Sequence, residues 1–516
     1  MDDDNTHNNM GVEITTDDLP PPSGERHVLQ PREELRLEVA FGSSSSSNNN
    51  SDAISLILQK GSAELYGCEL ALQKVYSIPQ GGIKIALFTW HGAVIDLLQG
   101  GVADSDDETM SYTSDETDCN VAYVNTHAQL EALRDDASVA SQHGDTSGGP
   151  RVLVVGPAES GKTTLCKTLV AYACKVGRTP LWVDLDPNDN SISVPGTLSV
   201  APMISTAISV ESYATTGLPA NTVHPLVVFH GNNTEGECYQ NGIHPDLFKA
   251  QVDHLAKTIN SRLQHDDNAN ASGIIVNTNG WIRDEGYELL LHTAKALSIS
   301  VILVLGHDRL FSLLNSHYKK IKANDNDDSI ITPKIVKLPR SGGVVSPPKE
   351  FQRQCRSRAV KRYFYGDLVA DSSAGDDGKE NSSGNRKINQ LTPFLVQLQL
   401  SDLKIYKVST MALSSSLLPV AQQQSTDSIQ LVEMDLDENA KTMETLQHAL
   451  LAVCHPLAVQ KYIETGRARD LVTAGVAGFC AVERIVTETN QIHLLSPCAG
   501  ALPSTTLIVG NITWME

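Results

Sequence analysis

The stretch 151–164, RVLVVGPAESGKTT, restricts the folds open to this chain more than any other. Val152 to Val155 form a short apolar run that predicts a buried strand. Gly156 breaks it, and Gly161-Lys162-Thr163 open a segment with helical character. A G-x-x-x-x-G-K-[ST] string between a strand and a helix is a phosphate-binding loop in its required setting. Its glycines let the backbone wrap a polyphosphate, and the amides and dipole of the helix start favour negative charge there. Lys162 would reach the β and γ oxygens of a nucleoside triphosphate, and the Thr163 hydroxyl would ligate Mg²⁺.

After the loop, strand and helix signals alternate. The helix runs to Val176 and ends at Gly177. Strands are expected at 180–186, 226–230, 273–277, 300–305 and 334–338, with helices at 244–263 and 285–297 between them. Apolar strands separated by helices imply a parallel sheet covered on both faces. Ligands in such sheets bind beyond the carboxyl ends of the strands. The phosphate loop, Asp186 and Asn277-Thr278 all fall at such ends. Asp184 and Asp186 are two apart, so they share a side. One carboxylate there would hold Mg²⁺ through water, and the other would take or position the proton of an attacking hydroxyl. Asp186 lies nearer the mouth; the alternative role for Asp184 is to cap the strand end. No Asn-Lys-x-Asp string occurs, which argues against guanine readout.

The flanks read as separate units. Residues 1–26 form an acidic tail expected to be disordered. Short strands at 35–39, 55–58, 63–66 and 84–90 predict a small N-terminal β-sandwich domain over 27–134. It is interrupted by inserts at 42–52 and 103–118, and a linker follows at 135–150. The phosphate-loop domain would span 151–370. A second linker at 371–390 precedes a small β-rich domain, barrel or sandwich, at 391–516. The expected fold is thus α/β: a central parallel-sheet P-loop domain between two β-rich ones.

Composition removes several classes. There is no apolar run of about 18 residues, so no membrane span is expected. Nine cysteines lack paired spacing, which argues for a reducing compartment and against a zinc site. A net charge of −21 argues against nucleic-acid binding by the whole surface but leaves a local basic groove open.

Two further features bear on chemistry. Residues 340–344, RSGGV, precede a basic helix carrying Lys349, Arg353, Arg356, Arg358, Lys361 and Arg362. Such a helix would serve as a lid whose arginines neutralise charge on a transferring phosphoryl group, or as a solvated charged face. Trp281 follows a strand and would stack on a base or fill a core.

Together these strings resemble one family. GPAESGKTTL, DLDPNDNSISVPGT (184–197), NTNGW (277–281), LPRSGGVV (338–345) and RYFYG (362–366) are similar to the eukaryotic Clp-type polyribonucleotide 5′-hydroxyl kinases, a subunit type of the pre-mRNA cleavage and polyadenylation complex. REELRLEVA (32–40), GSAELYGCEL (61–70), KIALFTWHG (84–92), VNTHAQLEALR (124–134) and LSDLKIYKV (400–408) extend the resemblance over nearly the whole chain. It implies three domains, ATP as donor, Mg²⁺, a nuclear location and RNA 5′-hydroxyl ends as acceptor. A cleavage-factor scaffold subunit is the implied partner, and the transfer-RNA splicing endonuclease is a further partner the family admits. By resemblance Glu34 and Lys84 reach the adenine end, Glu159, Ser160, Gly161, Lys162, Thr163 and Thr164 hold the phosphates, Asp186 activates the hydroxyl, and Trp281 clasps the terminal base. The lid departs from the family pattern: Pro347 stands at an arginine position, and Gln352-Arg353 replaces an arginine pair. Arg353 or Arg356 would have to supply the missing charge. Fungal members bind ATP without catalysis, so an ATP-bound scaffold is the alternative reading. A generic P-loop ATPase or metal-insertion factor is a third, disfavoured by the missing Cys/His cluster.

Overall fold

The computed structural model describes residues 19–22, 24–39, 54–78, 83–98, 110–143, 148–214, 217–218, 223–232, 243–324, 332–366, 368–370, 387–389, 391–409, 429–435 and 440–515. The acidic tail to residue 18, the insert at 42–52 and residues 371–386 lie outside them.

Two sheets build the N-terminal region. Strands Glu25–Leu29, Ala93–Leu98, Ile54–Gly61 and Val75–Ile78 form one; Cys68–Glu69, Glu64–Leu65, Ile83–Phe88, Glu34–Val39 and Met110–Ser114 form the other. Alternating leucines from both, among them Leu35, Leu37, Leu56 and Leu65, fill one core without solvent exposure. The acidic stretch 103–118, expected to be an exposed insert, is a strand in its second half. Met110–Ser114 pairs antiparallel with Glu34–Glu38, because Ser-Tyr-Thr suits a pleated edge and the Tyr112 ring carries the Arg36 guanidinium at 5.8 Å. A helix that the sequence reading did not expect, Asp118–Gln142, follows. It carries the chain through the first half of the stretch expected to be a linker at 135–150. Arg134, fully buried, fixes this helix by donating from Nε to Ser272 O at 2.9 Å, and Tyr123 donates to Pro339 O at 3.1 Å.

The central sheet has the order Leu226–Phe229, Thr197–Pro202, Leu181–Leu185, Ile274–Thr278, Arg151–Val155, Val301–Leu305, Lys334–Leu338. The last five strands are parallel, while the first two are antiparallel to their neighbours. The phosphate-loop strand therefore lies inside the parallel part, between Ile274–Thr278 and Val301–Leu305. The helix Lys162–Lys175 that follows it buries Leu165, Cys166, Leu169 and Val170. The N-terminal region packs directly on this helix: a β-carbon on Gly67 would stand 2.9 Å from Ala171 Cβ.

The C-terminal region forms one seven-stranded sheet, in place of the barrel or sandwich expected from its short strands. Strand Ala449–Cys454 lies at its centre, and alternate residues serve two cores. Leu450, Ala452 and Cys454 face Phe229, Leu247, Val360 and Phe364 of the central region. Ala449, Leu451 and Val453 face Ile492, Leu494 and Leu507. The sheet is thereby wedged against the lid helix, Lys349–Tyr365.

Candidate active site

The phosphate loop turns through two left-handed positions, Glu159 (φ 55°) and Gly161 (φ 90°). Gly161 caps the helix Lys162–Lys175, and a side chain there would be strained and pressed on Val344. Lys162 is buried, and its Nζ donates to Pro157 O at 2.7 Å. Burial lowers its proton affinity, and the charge of Asp186 acts in the opposite sense. The Ser160 hydroxyl oxygen is buried without a hydrogen-bond partner. An unpaired hydroxyl beside a turn of main-chain amides fits a phosphate oxygen.

One strand, Leu181–Leu185, and its end supply the facing acids, and the next strand supplies Asn277. Asp184 is fully buried: Oδ1 accepts from Asp186 N at 3.1 Å and from Asn277 Nδ2 at 3.0 Å, and Oδ2 accepts from Ser191 N at 2.9 Å. Asn277 Nδ2 also donates to Thr163 Oγ1 at 3.2 Å. One amide thus joins the acid strand to the hydroxyl of the phosphate loop, across the two adjacent strands. Asn277 Oδ1 is buried and unpaired. The Thr163 hydroxyl and the Asp184 carboxylate, joined by this amide, are oxygen donors of the kind Mg²⁺ takes. Asp186 is half-buried, its Oδ1 accepting from Asn188 N at 3.0 Å. Loss of solvation, then Asp189 and Asp184, push its carboxyl up to about 7.

The lid helix closes over this site through two contacts. Gln352 Nε2 donates to Glu159 Oε1 at 2.8 Å. Arg356 Nε donates to Asp189 Oδ1 at 3.1 Å. Arg353 falls elsewhere on the helix surface from Gln352. It is exposed, one residue round the helix, and lines a groove of about 440 Å³ with His448, Gln447 and Trp514 of the C-terminal region.

The N-terminal residues reach the site through the Gly-Gly loop. Glu34 is buried and accepts from Arg36 Nε at 2.6 Å, and Arg36 in turn packs on Gly343. Lys84 pairs with Glu38 at 2.6 Å and stands 5.8 Å from the Phe351 ring centroid of the lid helix. Trp281 is 9% exposed and sits in the core beside the sheet, against Gly286. Its neighbour Gly280 is pressed on Ala158 of the phosphate loop. Sequence reasoning placed Asn277 at the mouth but gave it no role, and gave Asp189 none. The signal for Asn277 was its position at the end of an apolar strand, where an amide has no reason to be unless it bridges polar groups.

A lysine-bearing loop inside a parallel sheet, with acids at the end of the next strand but one and a basic lid, defines a P-loop nucleotide-binding protein. Comparison with known proteins makes the family particular. Residues 156–366 match the model of the mRNA cleavage and polyadenylation factor CLP1 P-loop. Residues 28–137 match the N-terminal beta-sandwich domain of polyadenylation factor, and 391–516 the pre-mRNA cleavage complex II protein Clp1. The chain belongs to the Clp1 family. It is 31% identical to the Protein CLP1 homolog of Arabidopsis thaliana, covering 95% of this chain and 94% of that one. It is 30% identical to the polyribonucleotide 5′-hydroxyl-kinase Clp1 of Homo sapiens, covering 98% of this chain and 100% of that one. The solved wild-type Clp1p–Pcf11p complex contains a chain of the same fold, with TM-score 0.68, 20% identity and coverage of 95% and 98%.

Proposed function

We propose that this chain is an ATP-dependent polyribonucleotide 5′-hydroxyl kinase that acts as a component of the nuclear pre-mRNA 3′-end cleavage machinery. Kinase relatives aligned from end to end support the activity. The observation that carries it is the chain of contacts Thr163–Asn277–Asp184, with Asp186 and Lys162 at its mouth. In this reading Lys162 leaves the Pro157 carbonyl to bind the β and γ oxygens of ATP, and Ser160 donates to a phosphate oxygen. Asp184 and Asn277 hold the Thr163 hydroxyl in place. Asp186 takes the proton of the RNA 5′-hydroxyl as its oxygen bonds to the γ-phosphorus and the bond to the bridging oxygen of ADP breaks. Thr163, with Asp184 through water, would hold Mg²⁺, which supplies charge neutralisation on the phosphates. Glu34 and Lys84 would read the adenine end, and the exposed edge of Trp281 would meet the terminal base. The test is transfer of labelled γ-phosphate to a 5′-hydroxyl oligoribonucleotide. Transfer by the wild-type chain and none by Lys162→Ala is expected; ATP binding without any transfer would remove the catalytic claim.

A second reading has its own observation. The lid sets an amide, Gln352, against the phosphate loop, and Arg353 is exposed beside a groove of the C-terminal region. Arg356 is the guanidinium it points at the acid loop, and that group pairs with Asp189. A lid that meets the phosphate loop through a neutral amide suits a scaffold subunit that retains ATP to lock its regions together, with a cleavage-factor partner of the Pcf11 kind held on its surface and a transfer-RNA splicing endonuclease as a further partner. ATP retained without turnover, and partner capture lost in Lys162→Ala, would favour this reading.

A further inference from the structure

Side chains alternate along the strand Glu34–Val39. Leu35 and Leu37 enter the core of the N-terminal region, so Glu34, Arg36 and Glu38 share the outer face. The outer face of an antiparallel sheet is commonly wet, yet Arg36 is only 7% exposed. What covers it is the Gly-Gly loop of the central region. A β-carbon on Gly343 would stand 2.9 Å from Arg36 Nε and 3.3 Å from its Cζ, and one on Gly342 would stand 3.4 Å from its Nη2. The guanidinium thus lies against two residues that have no side chain. Tyr112, its partner on the adjoining strand, carries the same group at 5.8 Å, and Glu34 accepts from Nε at 2.6 Å.

The next residue of that loop touches the phosphate loop. A β-carbon on Gly161 would stand 3.1 Å from Val344 Cγ2, and Gly161 is the left-handed residue that caps the helix Lys162–Lys175. The stretch between is tied down. Arg340 Nη2 donates to Val344 O at 2.9 Å, Val344 N to Ser341 O at 3.3 Å, and Gly343 N to Ser341 Oγ at 3.2 Å. Tyr123 anchors its start at Pro339 O. A displacement of Gly343 therefore has little slack to absorb it before it reaches Val344 and Gly161.

We propose that Arg36 is a positioning residue for the bound polyphosphate. Seated on Gly342 and Gly343, it sets Val344 against Gly161 and so holds the start of the phosphate-loop helix in its anion-binding conformation. The N-terminal region then acts on the phosphate end of the nucleotide as well as on the adenine end. The proposal rests on nucleotide binding in the reading above and not on phosphoryl transfer. A buried ion pair contributes little net stability once its desolvation is counted; the pair Arg36–Glu34 contributes placement. The role depends on a planar group. A lysine keeps a charge beside Glu34, but its compact ammonium cannot lie flat on two glycines.

The experiment is a double-mutant cycle on the full chain, read by calorimetric titration with two probes. One is ATP with Mg²⁺; the other is inorganic tripolyphosphate with Mg²⁺, which has no base or ribose. Arg36→Lys should weaken binding of both probes by about tenfold, and so should Val344→Ala. The double variant should be no weaker than either single one, because both changes interrupt one path. Three outcomes overturn the proposal while wild-type binding stays intact. A lower melting temperature in Arg36→Lys with both affinities unchanged would make the residue structural only. Loss on ATP alone would confine its action to the adenine end through Glu34. Losses that multiply in the double variant would make the two contacts independent. A wild type that binds neither probe removes the nucleotide reading, and the proposal with it.

Discussion

Gln352 of the lid helix donates to Glu159 Oε1 at 2.8 Å, and Glu159 is the phosphate-loop residue held at φ 55°. The lid therefore touches the loop through a neutral amide at a point where a guanidinium would bring charge to the transferring phosphoryl group. Guanidinium groups in that role raise phosphoryl-transfer rates by about 10³–10⁵ when complete. Gln352→Arg should increase kcat for RNA phosphorylation by about tenfold or more, with the ATP KM little changed. Steady-state kinetics check this, and a rate that stays flat while Glu159 forms an ion pair would place the lid in a holding role.

Asp186 is the group whose protonation should set the pH profile. Its carboxyl is pushed up to about 7 by lost solvation and by Asp189 and Asp184, with Lys162 opposing. A base must be ionised to accept a proton, so kcat/KM for RNA should rise as pH increases through about 7. Asp186→Asn should abolish that rise and lower the rate by about 10²–10⁴.

The same shift has a stability consequence of opposite sense. A carboxyl raised in the folded state binds its proton more tightly folded than unfolded, so stability is full at low pH and falls as pH climbs toward about 7. Thermal melts of the nucleotide-free chain should show Asp186→Asn more stable than wild type at pH 8, with the gap closing toward pH 4. Burial raises the Asp184 carboxyl as well, against the pull of its hydrogen bonds. Its oxygens accept from three donors, and Asp184→Asn sets an amide against them. A loss of about 1–3 kcal/mol is expected, read as a lower melting temperature at both pH values.

The legible parts of this molecule were those with local signatures. The phosphate loop announces itself because a turn around phosphate needs glycine, lysine and a hydroxyl at fixed spacing. The parallel strands did so because strands buried on both faces are uniformly apolar, as Val301–Leu305 is. Thr197–Pro202 escaped because its Ser199 bonds to Asn190 inside the core and breaks the apolar run. The helix Asp118–Gln142 was obscured by its polar Asp-Asp-Ala-Ser end, held through Arg134 and Ser272, which are distant in sequence. The candidate site divides the same way. The spacing placed Lys162 in the phosphate loop and the pair Asp184 and Asp186 at a strand end. The side of the lid helix on which Arg353 lies was not, since a helix with cations all round has no periodicity to orient it.

Trp281 illustrates a residue whose two expected roles must be separated. Its ring is 9% exposed and packed against Gly286, so Trp281→Ala would cost about 3–5 kcal/mol as a core truncation and report little about RNA. Trp281→Phe retains most of the packing and a smaller stacking face. It should leave the melting temperature within a few degrees while weakening 5′-hydroxyl oligoribonucleotide binding severalfold. Equal RNA affinity in the phenylalanine variant would assign the indole to the core alone.

Gly280 offers the most direct test of how the strand end supports the phosphate loop. A β-carbon there would stand 2.3 Å from Ala158 N and 2.4 Å from Ala158 Cα. Both are backbone atoms, so no side chain can swing away, and the loop itself must shift. Phosphate cradles depend on amides aimed at the anion, and a displaced Ala158 re-aims the turn that carries Ser160 and Lys162. Gly280→Ala should therefore weaken ATP binding by more than about tenfold, the equivalent of one lost charge-assisted contact. Circular dichroism should report a folded chain, because the shift is confined to a surface turn. Calorimetric titration with ATP checks the affinity. An unchanged dissociation constant would mean that the loop yields without losing its aim, and the contact between Gly280 and Ala158 would then be packing alone.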